Sequence, residues 1–183
     1  MSPPPFPRSA IADFSSQTQI DRHFMALAYI ESRKSDDPKA IVVPQSGVGA
    51  IIVKDGIEIS KSANVLPPRI KSGKRRPTNV VSDTDRYFFI EHAERAAIFE
   101  AWLSGKSLTG ATLYCSRFPC SDCARAIAWS GIKRVVLPTG FAGERRWIDA
   151  QRAALRVLRE SGVVVRYLGD RAATQDTHVD DKG

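Results

Sequence analysis

The stretch "GATLYCSRFPCSDCARAIAWSGIKRVVLP", residues 110–138, decides the fold. Its opening, "GATLYCSR", is a short apolar run introduced by glycine, which predicts a strand. "CSDCARAIAWSG" then places apolar residues at helical spacing and ends on Gly131, a common helix stop. "IKRVVLP" is a β-branched run closed by proline and reads as a buried strand. A helix set between two strands argues for an α/β sheet.

The same alternation continues on both sides. Downstream, "RRWIDAQRAALRVLRESG" predicts a helix and "VVVRYLG" a last strand. Upstream, residues 91–104 predict a helix stopped by Gly105. Before it, "VGAIIVKDGIEISKSAN" reads as a β-hairpin, because Asp55-Gly56 suits a two-residue turn between twisted strands. Ile20, Phe24, Leu27 and Ala28 fall at helical spacing, with Thr18 and Asp21 placed as a capping pair and an end near Ser35. The order predicts a partly parallel sheet with helices on its faces and an antiparallel hairpin. Residues 65–85 hold Pro67, Pro68, Gly73 and Pro77 and read as a long loop. Residues 1–17 contain four prolines and predict a flexible arm, residues 18–169 the folded domain, and residues 170–183 a flexible polar tail.

Composition narrows the function classes. The chain of 183 residues is 43% apolar and 26% charged, ordinary for a soluble globular protein. No run approaches the roughly 18–20 apolar residues of a membrane helix. The start, "MSPPPFPRSA", lacks the apolar centre of a signal peptide, so a cytoplasmic protein is expected. Three cysteines do not make a disulfide framework. The formal net charge of +7 suits an anionic partner, a nucleotide or nucleic acid, and equally suits a basic surface with no such partner.

The chemistry lies in "HAE", residues 92–94, and "PCSDC", residues 119–123. Cys120 and Cys123 lie three apart at the start of a predicted helix, and His92 opens the preceding one. One imidazole and two thiolates form a soft donor set suited to zinc (Zn2+). Three protein ligands leave a fourth tetrahedral position for water, as a catalytic site requires. Helix starts favour the negative charge that such a site gathers. Glu94, two residues from His92, can face that position without binding the metal and can carry protons. The pattern H-x-E…P-C-x-x-C is the signature of zinc-dependent base deaminases.

On these motifs, with "FMALAYIESRKSDDP", "VGAIIVKDGIEI", "ATLYCSRFPCSDCARAI" and "SGIKRVV", the sequence resembles the cytidine and deoxycytidylate deaminase superfamily, most of all its deoxycytidylate branch. The resemblance implies a five-stranded mixed sheet in a three-layer α-β-α sandwich. It implies His92, Cys120 and Cys123 as zinc ligands and Glu94 as proton shuttle in the hydrolytic loss of ammonia from a cytosine nucleotide. Asn64 matches a family residue that contacts the substrate sugar, and Ala93 and Phe118 are the other candidate substrate contacts. A homo-oligomer, dimer or hexamer, is implied as well. The text "NVLPPRIKSG" departs from the branch, which usually follows its Asn with Gly, Pro and Gly, and Phe118 stands where a small or acidic residue is common.

Blander readings stand beside these. A C-x-x-C pair also serves redox or structural zinc sites, and Cys115 is the candidate fourth ligand that would close the metal site. Without catalysis, the site could stabilise a nucleic-acid-binding module, although no aromatic series accompanies the basic residues. Asn64 could simply shape a turn. The run Arg69, Lys71, Lys74, Arg75 and Arg76 either clamps a phosphate or is solvated. Trp147 either stacks on a base or packs. Phe88 and Phe89 are expected in the core, and His23 and His178 are expected to bind no metal.

Overall fold

The computed structural model describes residues 14–68, 86–139 and 147–169. The basic run 69–76, His178, most of the proposed arm and the tail lie outside the described residues. Helix α1 (Phe14–Ser32) and the short α2 (Pro38–Val42) precede strands β1 (Gly49–Lys54) and β2 (Ile57–Ala63). One turn of helix, α3 (Arg86–Phe89), leads into α4 (Ala93–Leu103). The alternation then runs β3 (Thr112–Cys115), α5 (Ser121–Ser130), β4 (Arg134–Leu137), α6 (Ile148–Glu160) and β5 (Val164–Tyr167).

The five strands form one mixed sheet in the order β2-β1-β3-β4-β5. β1 pairs antiparallel with both β2 and β3, while β3, β4 and β5 run parallel. Asp55 and Gly56 join β1 to β2 with φ of 52° and 76°. Two positive values are what the favoured hairpin turn demands, and Asp-Gly supplies them cheaply.

The period of two along each strand sorts the core into two layers. Ile51, Val53, Tyr114 and Val136 meet Ile20, Phe24, Met25 and Ala28 of α1 on one face. Ala50, Ile52, Leu113, Val135 and Leu137 meet the other helices through Ala97, Ile98, Ile127, Ala154 and Leu158. The result is the three-layer α-β-α sandwich that the resemblance implies.

Two expectations are corrected. α1 starts at Phe14 rather than at Thr18, so Asp21 lies within the helix and does not cap it. It is 1% exposed and bonded to Arg134 and Tyr114, an ion pair that a local pattern could not reveal. Phe88 and Phe89 are 78% and 51% exposed, not core. A single-turn helix offers too little surface to bury both rings, and from this segment Ile90 is the buried residue.

One close approach sets where α1 ends against the sheet. A Cβ on Gly49 would stand 2.0 Å from the carbonyl oxygen of Ala28 and 2.6 Å from the amide nitrogen of Ser32. Only glycine lets β1 begin so near the helix backbone. Beside it, the Gly49 N–H donates to the buried Ser116 Oγ at 3.0 Å, joining the start of β1 to the end of β3. Antiparallel pairing therefore brings the beginning of β1 and the ends of β2 and β3 to the same side of the sheet, the side where the chemical residues gather.

Candidate metal centre

His92 and Cys120 occupy equivalent places. Each is the N-cap residue of its helix, α4 or α5, with extended backbone (φ −73°, ψ 144° and φ −78°, ψ 172°) and no side-chain capping bond. Their side chains are thus available to turn toward each other. Cys123 follows in the first turn of α5, which Gly131 ends in the left-handed region at φ 79°.

The three donors converge. His92 Nδ1 lies 3.5 Å from Cys120 Sγ and 3.4 Å from Cys123 Sγ, and the two sulfurs are 3.6 Å apart. Zn–S bonds of about 2.3 Å and Zn–N bonds of about 2.0 Å at tetrahedral angles give edges of about 3.8 Å between sulfurs and about 3.5 Å from sulfur to nitrogen. The observed triangle matches one face of that tetrahedron to within a few tenths of an ångström. Among the described residues, these three form the metal-competent group.

Cys115 does not join it. The thiol is fully buried at the end of β3, in the core cluster with Ala50 and Ala93. Burial, with the nearby Glu94 carboxylate next in weight, pushes this thiol well above the usual range, so it stays protonated. Among the described residues, no fourth His, Cys, Asp or Glu joins the three-donor group.

The charges in the cluster support one another. Cys120 is drawn down to about 4, first by a hydrogen bond from the Cys123 thiol and then by His92, against the effect of burial. The His92 imidazole is held up to about 9, chiefly by its bond to Cys120. Glu94 is 3% exposed in the first turn of α4 and outside the donor triangle. Burial raises its pKa, while the charge of His92 pulls the other way.

The remaining site candidates are less uniform. Asn64 is buried at the end of β2, its Oδ1 accepting from Val48 N–H at 2.8 Å and its Nδ2 donating to Asp37 Oδ2 at 3.4 Å. Ala93 is fully buried in the core cluster. Phe118 is half-buried and stacks on Tyr167, with ring centroids 6.5 Å apart and planes inclined by 22°. Trp147 is half-buried at the start of α6. The sequence reading passes over Glu91 and Arg95, although their i, i+4 spacing on a helix start is a legible signal.

A mixed sheet with an imidazole and two thiols meeting at two helix starts defines an α/β metalloprotein. The sequence model of the cytidine and deoxycytidylate deaminase zinc-binding region matches residues 18–139. The chain therefore belongs to that family, and its metal is zinc. It is 32% identical over 150 residues to the deoxycytidylate deaminase of Homo sapiens, covering 79% of this chain and 76% of that one. It is 33% identical over 132 residues to the deoxycytidylate deaminase of Mycobacterium phage D29, covering 67% and 97%. The crystal structure of dCMP deaminase from the cyanophage S-TIM5 in complex with dCMP and dUMP superposes with a TM-score of 0.59 at 27% identity, covering 81% and 96%. No helix among the described residues is long and apolar enough to cross a membrane.

Proposed function

We propose that this chain is a zinc-dependent hydrolytic deaminase of a cytosine nucleotide, converting dCMP and water to dUMP and ammonia. The observation that carries the reading is the His92, Cys120 and Cys123 triangle with the buried Glu94 beside it. Deoxycytidylate deaminases among the relatives supply the substrate.

His92 Nδ1 and the sulfurs of Cys120 and Cys123 would hold the zinc. When bound, zinc supplies Lewis acidity that can bring the pKa of a coordinated water to about 7. Glu94 accepts the proton that the attacking water gives up as its oxygen bonds to the ring carbon bearing the amino group. The same carboxyl protonates the ring nitrogen, then takes the remaining proton from the new C–OH as its carbonyl forms and delivers it to the amine, which departs as ammonia when the C–N bond breaks. A buried carboxyl with a raised pKa suits a group that must both take and return a proton. Asn64 has a second amide hydrogen to offer a sugar hydroxyl, and Ala93 and Phe118 are the other proposed substrate contacts.

The chain works as a homo-oligomer, dimer or hexamer. Support comes from apolar side chains left open on α4 and α5: Trp129 is 88% exposed and Leu103 81%, with Phe99 and Trp102 also open to solvent. Large exposed apolar groups of this kind commonly mark association surfaces. A cytoplasmic setting suits the site, because reducing conditions keep its thiols available for metal.

The test is ammonia release from cytosine, cytidine, deoxycytidine, their monophosphates, adenine and guanine derivatives, and single-stranded DNA, using zinc-loaded protein. Turnover should be highest with dCMP. Release from a free base, a nucleoside or DNA but not from dCMP would overturn the substrate assignment, and no release from any of them would overturn the enzyme.

A further inference from the structure

The metal ligands come from two separate helices, so a zinc-sized triangle needs α4 and α5 to start at a fixed separation. Protein metal sites tolerate deviations of only about 0.2 Å in ligand distances. Ala93 and Ala124, in the first turns of α4 and α5, already pack in the core, and a polar contact between the two helix starts can fix their separation further. Arg95 is placed to do it. It lies three residues after His92, one turn along the same side of α4. Its Nε donates to Glu91 Oε1 at 2.7 Å, and Nη2 contacts the same carboxylate. Its Nη1 lies 3.6 Å from Asp122 Oδ2. Asp122 stands between Cys120 and Cys123 in the sequence, in the first turn of α5.

Glu91 is itself anchored. Its main chain makes an isolated antiparallel bridge with Val65, through Val65 N–H to Glu91 O at 3.1 Å and Glu91 N–H to Val65 O at 2.8 Å. Its Oε1 also accepts from the N–H of His92, the N-cap residue of α4, at 2.8 Å. One guanidinium thus connects the residue before the imidazole ligand, itself bridged to the chain just after β2, with one of the two residues between the thiol ligands. The side chains of Arg95 and Glu91 are 23% and 24% exposed, which shields that arm from solvent.

Building on the metal-centre reading above, we infer that Arg95 is a positioning residue for zinc: bridging Glu91 and Asp122, it holds the ligand-bearing starts of α4 and α5 at the spacing the ion requires. Arginine is suited to this because its planar fork engages two acids in fixed directions, whereas a lysine ammonium is a single point of charge. Asp122 is also held from the solvent side by Arg125, whose Nη2 donates to Oδ1 at 2.6 Å, so the acid presents its other oxygen to Arg95.

The test measures zinc retention directly. Zinc-loaded wild type, Arg95→Gln, Arg95→Lys, Asp122→Asn and the double variant Arg95→Gln/Asp122→Asn are titrated with a chromophoric chelator. Folding of each is checked by circular dichroism. Groups supporting metal ligands typically contribute about 10–100-fold in affinity, so Arg95→Gln should weaken zinc binding by about tenfold or more. Arg95→Lys should recover only part of that loss. The double variant should lose less than the product of the two single losses, since both remove the same bridge. In cobalt-substituted protein, the visible ligand-field bands of Arg95→Gln should shift, reporting a changed tetrahedral geometry. Wild-type zinc affinity in a folded Arg95→Gln, full recovery in Arg95→Lys, or multiplicative losses in the double variant would each overturn the bridge. If Arg95→Gln does not fold, Asp122→Asn, altered on an exposed first turn, decides: faster zinc loss supports the bridge and unchanged retention overturns it. None of these readouts depends on turnover, so a failed substrate assignment and a failed bridge give different results.

Discussion

Arg134 on β4 reaches across the sheet face to Asp21 on α1, its Nη1 2.8 Å from Oδ1 and its Nη2 on the second oxygen. Tyr114 and Gln17 donate to the same Oδ1, each at 3.0 Å. Burial works against ionisation of Asp21, but the hydrogen bonds from Arg134 and Gln17, the arginine charge and the Tyr114 hydroxyl together hold its pKa below the ordinary value of 3.8. The carboxylate thus ties α1 to β3 and β4 while remaining charged.

That arrangement sets an acid limit on the fold. A carboxyl whose native pKa lies below its unfolded value stabilises fully above the unfolded pKa, near about 4, and loses that contribution as pH falls through the native value. Asp21→Ala leaves Arg134 without its partner, a change that costs about 3–5 kcal/mol where the stranded charge is fully buried and less here, because the Arg134 side chain is 23% exposed. Urea denaturation should therefore show a constant gap between wild type and Asp21→Ala at neutral pH. The gap should narrow below about pH 4 as the wild-type pair is titrated away. A gap independent of pH down to acid unfolding would contradict the charged pairing.

The two classes of cysteine make a second prediction. Cys123 belongs to the donor triangle and Cys115 does not. Metal analysis should find about one zinc per folded chain in Cys115→Ser and far less in Cys120→Ser or Cys123→Ser. In the native protein, Cys115 should also resist thiol reagents, because it is fully buried and protonated. Loss of zinc from Cys115→Ser with the fold intact would make it a ligand and close the site.

What could be read from the sequence followed from local signals. The Asp55-Gly56 turn, the Gly131 stop and the spacing of Cys120 and Cys123 all act within a few residues. They placed β1 and β2, the end of α5 and the donor set. The misread features depend on distant partners. Asp21 sits at a position that suits a cap, yet its partner Arg134 is 113 residues away. Phe88 and Phe89 are apolar enough for a core, but a four-residue helix gives them no face to bury. The sheet order and the close approach at Gly49 are likewise tertiary facts with no local trace. α2 did have a local signal: Asp37 caps it by accepting from Lys39 N–H at 2.9 Å, with Pro38 in the first turn.

A third prediction concerns Glu94. Replacing it by Gln keeps the size and removes the exchangeable proton. Glu94 lies outside the donor triangle, so Glu94→Gln should keep its zinc. Turnover should fall by about 10²–10⁴-fold, the usual contribution of a positioned acid–base group. The pairing of retained metal with lost kcat is the informative result. Zinc loss would make Glu94 a ligand, and unchanged kcat would remove it from proton transfer.

The last prediction separates two jobs of Asn64. Its Oδ1 satisfies the Val48 N–H just before β1, and its main chain accepts from Asp36 N–H at 3.0 Å and from Ser35 Oγ at 3.2 Å. These bonds lace the end of β2 to the segment after α1. In Asn64→Ala the main-chain bonds can persist, but Val48 loses its acceptor. A buried donor left unpaired costs about 1–3 kcal/mol. The urea midpoint should fall accordingly whether or not Asn64 touches substrate. If its free amide hydrogen also contacts the sugar, KM for dCMP should rise while KM for free cytosine, where that base is turned over at all, stays unchanged. Comparing the variant well below its unfolding midpoint keeps the two effects apart. A destabilised variant with wild-type KM for dCMP would assign Asn64 to architecture alone, and the sugar contact would then have to come from another residue.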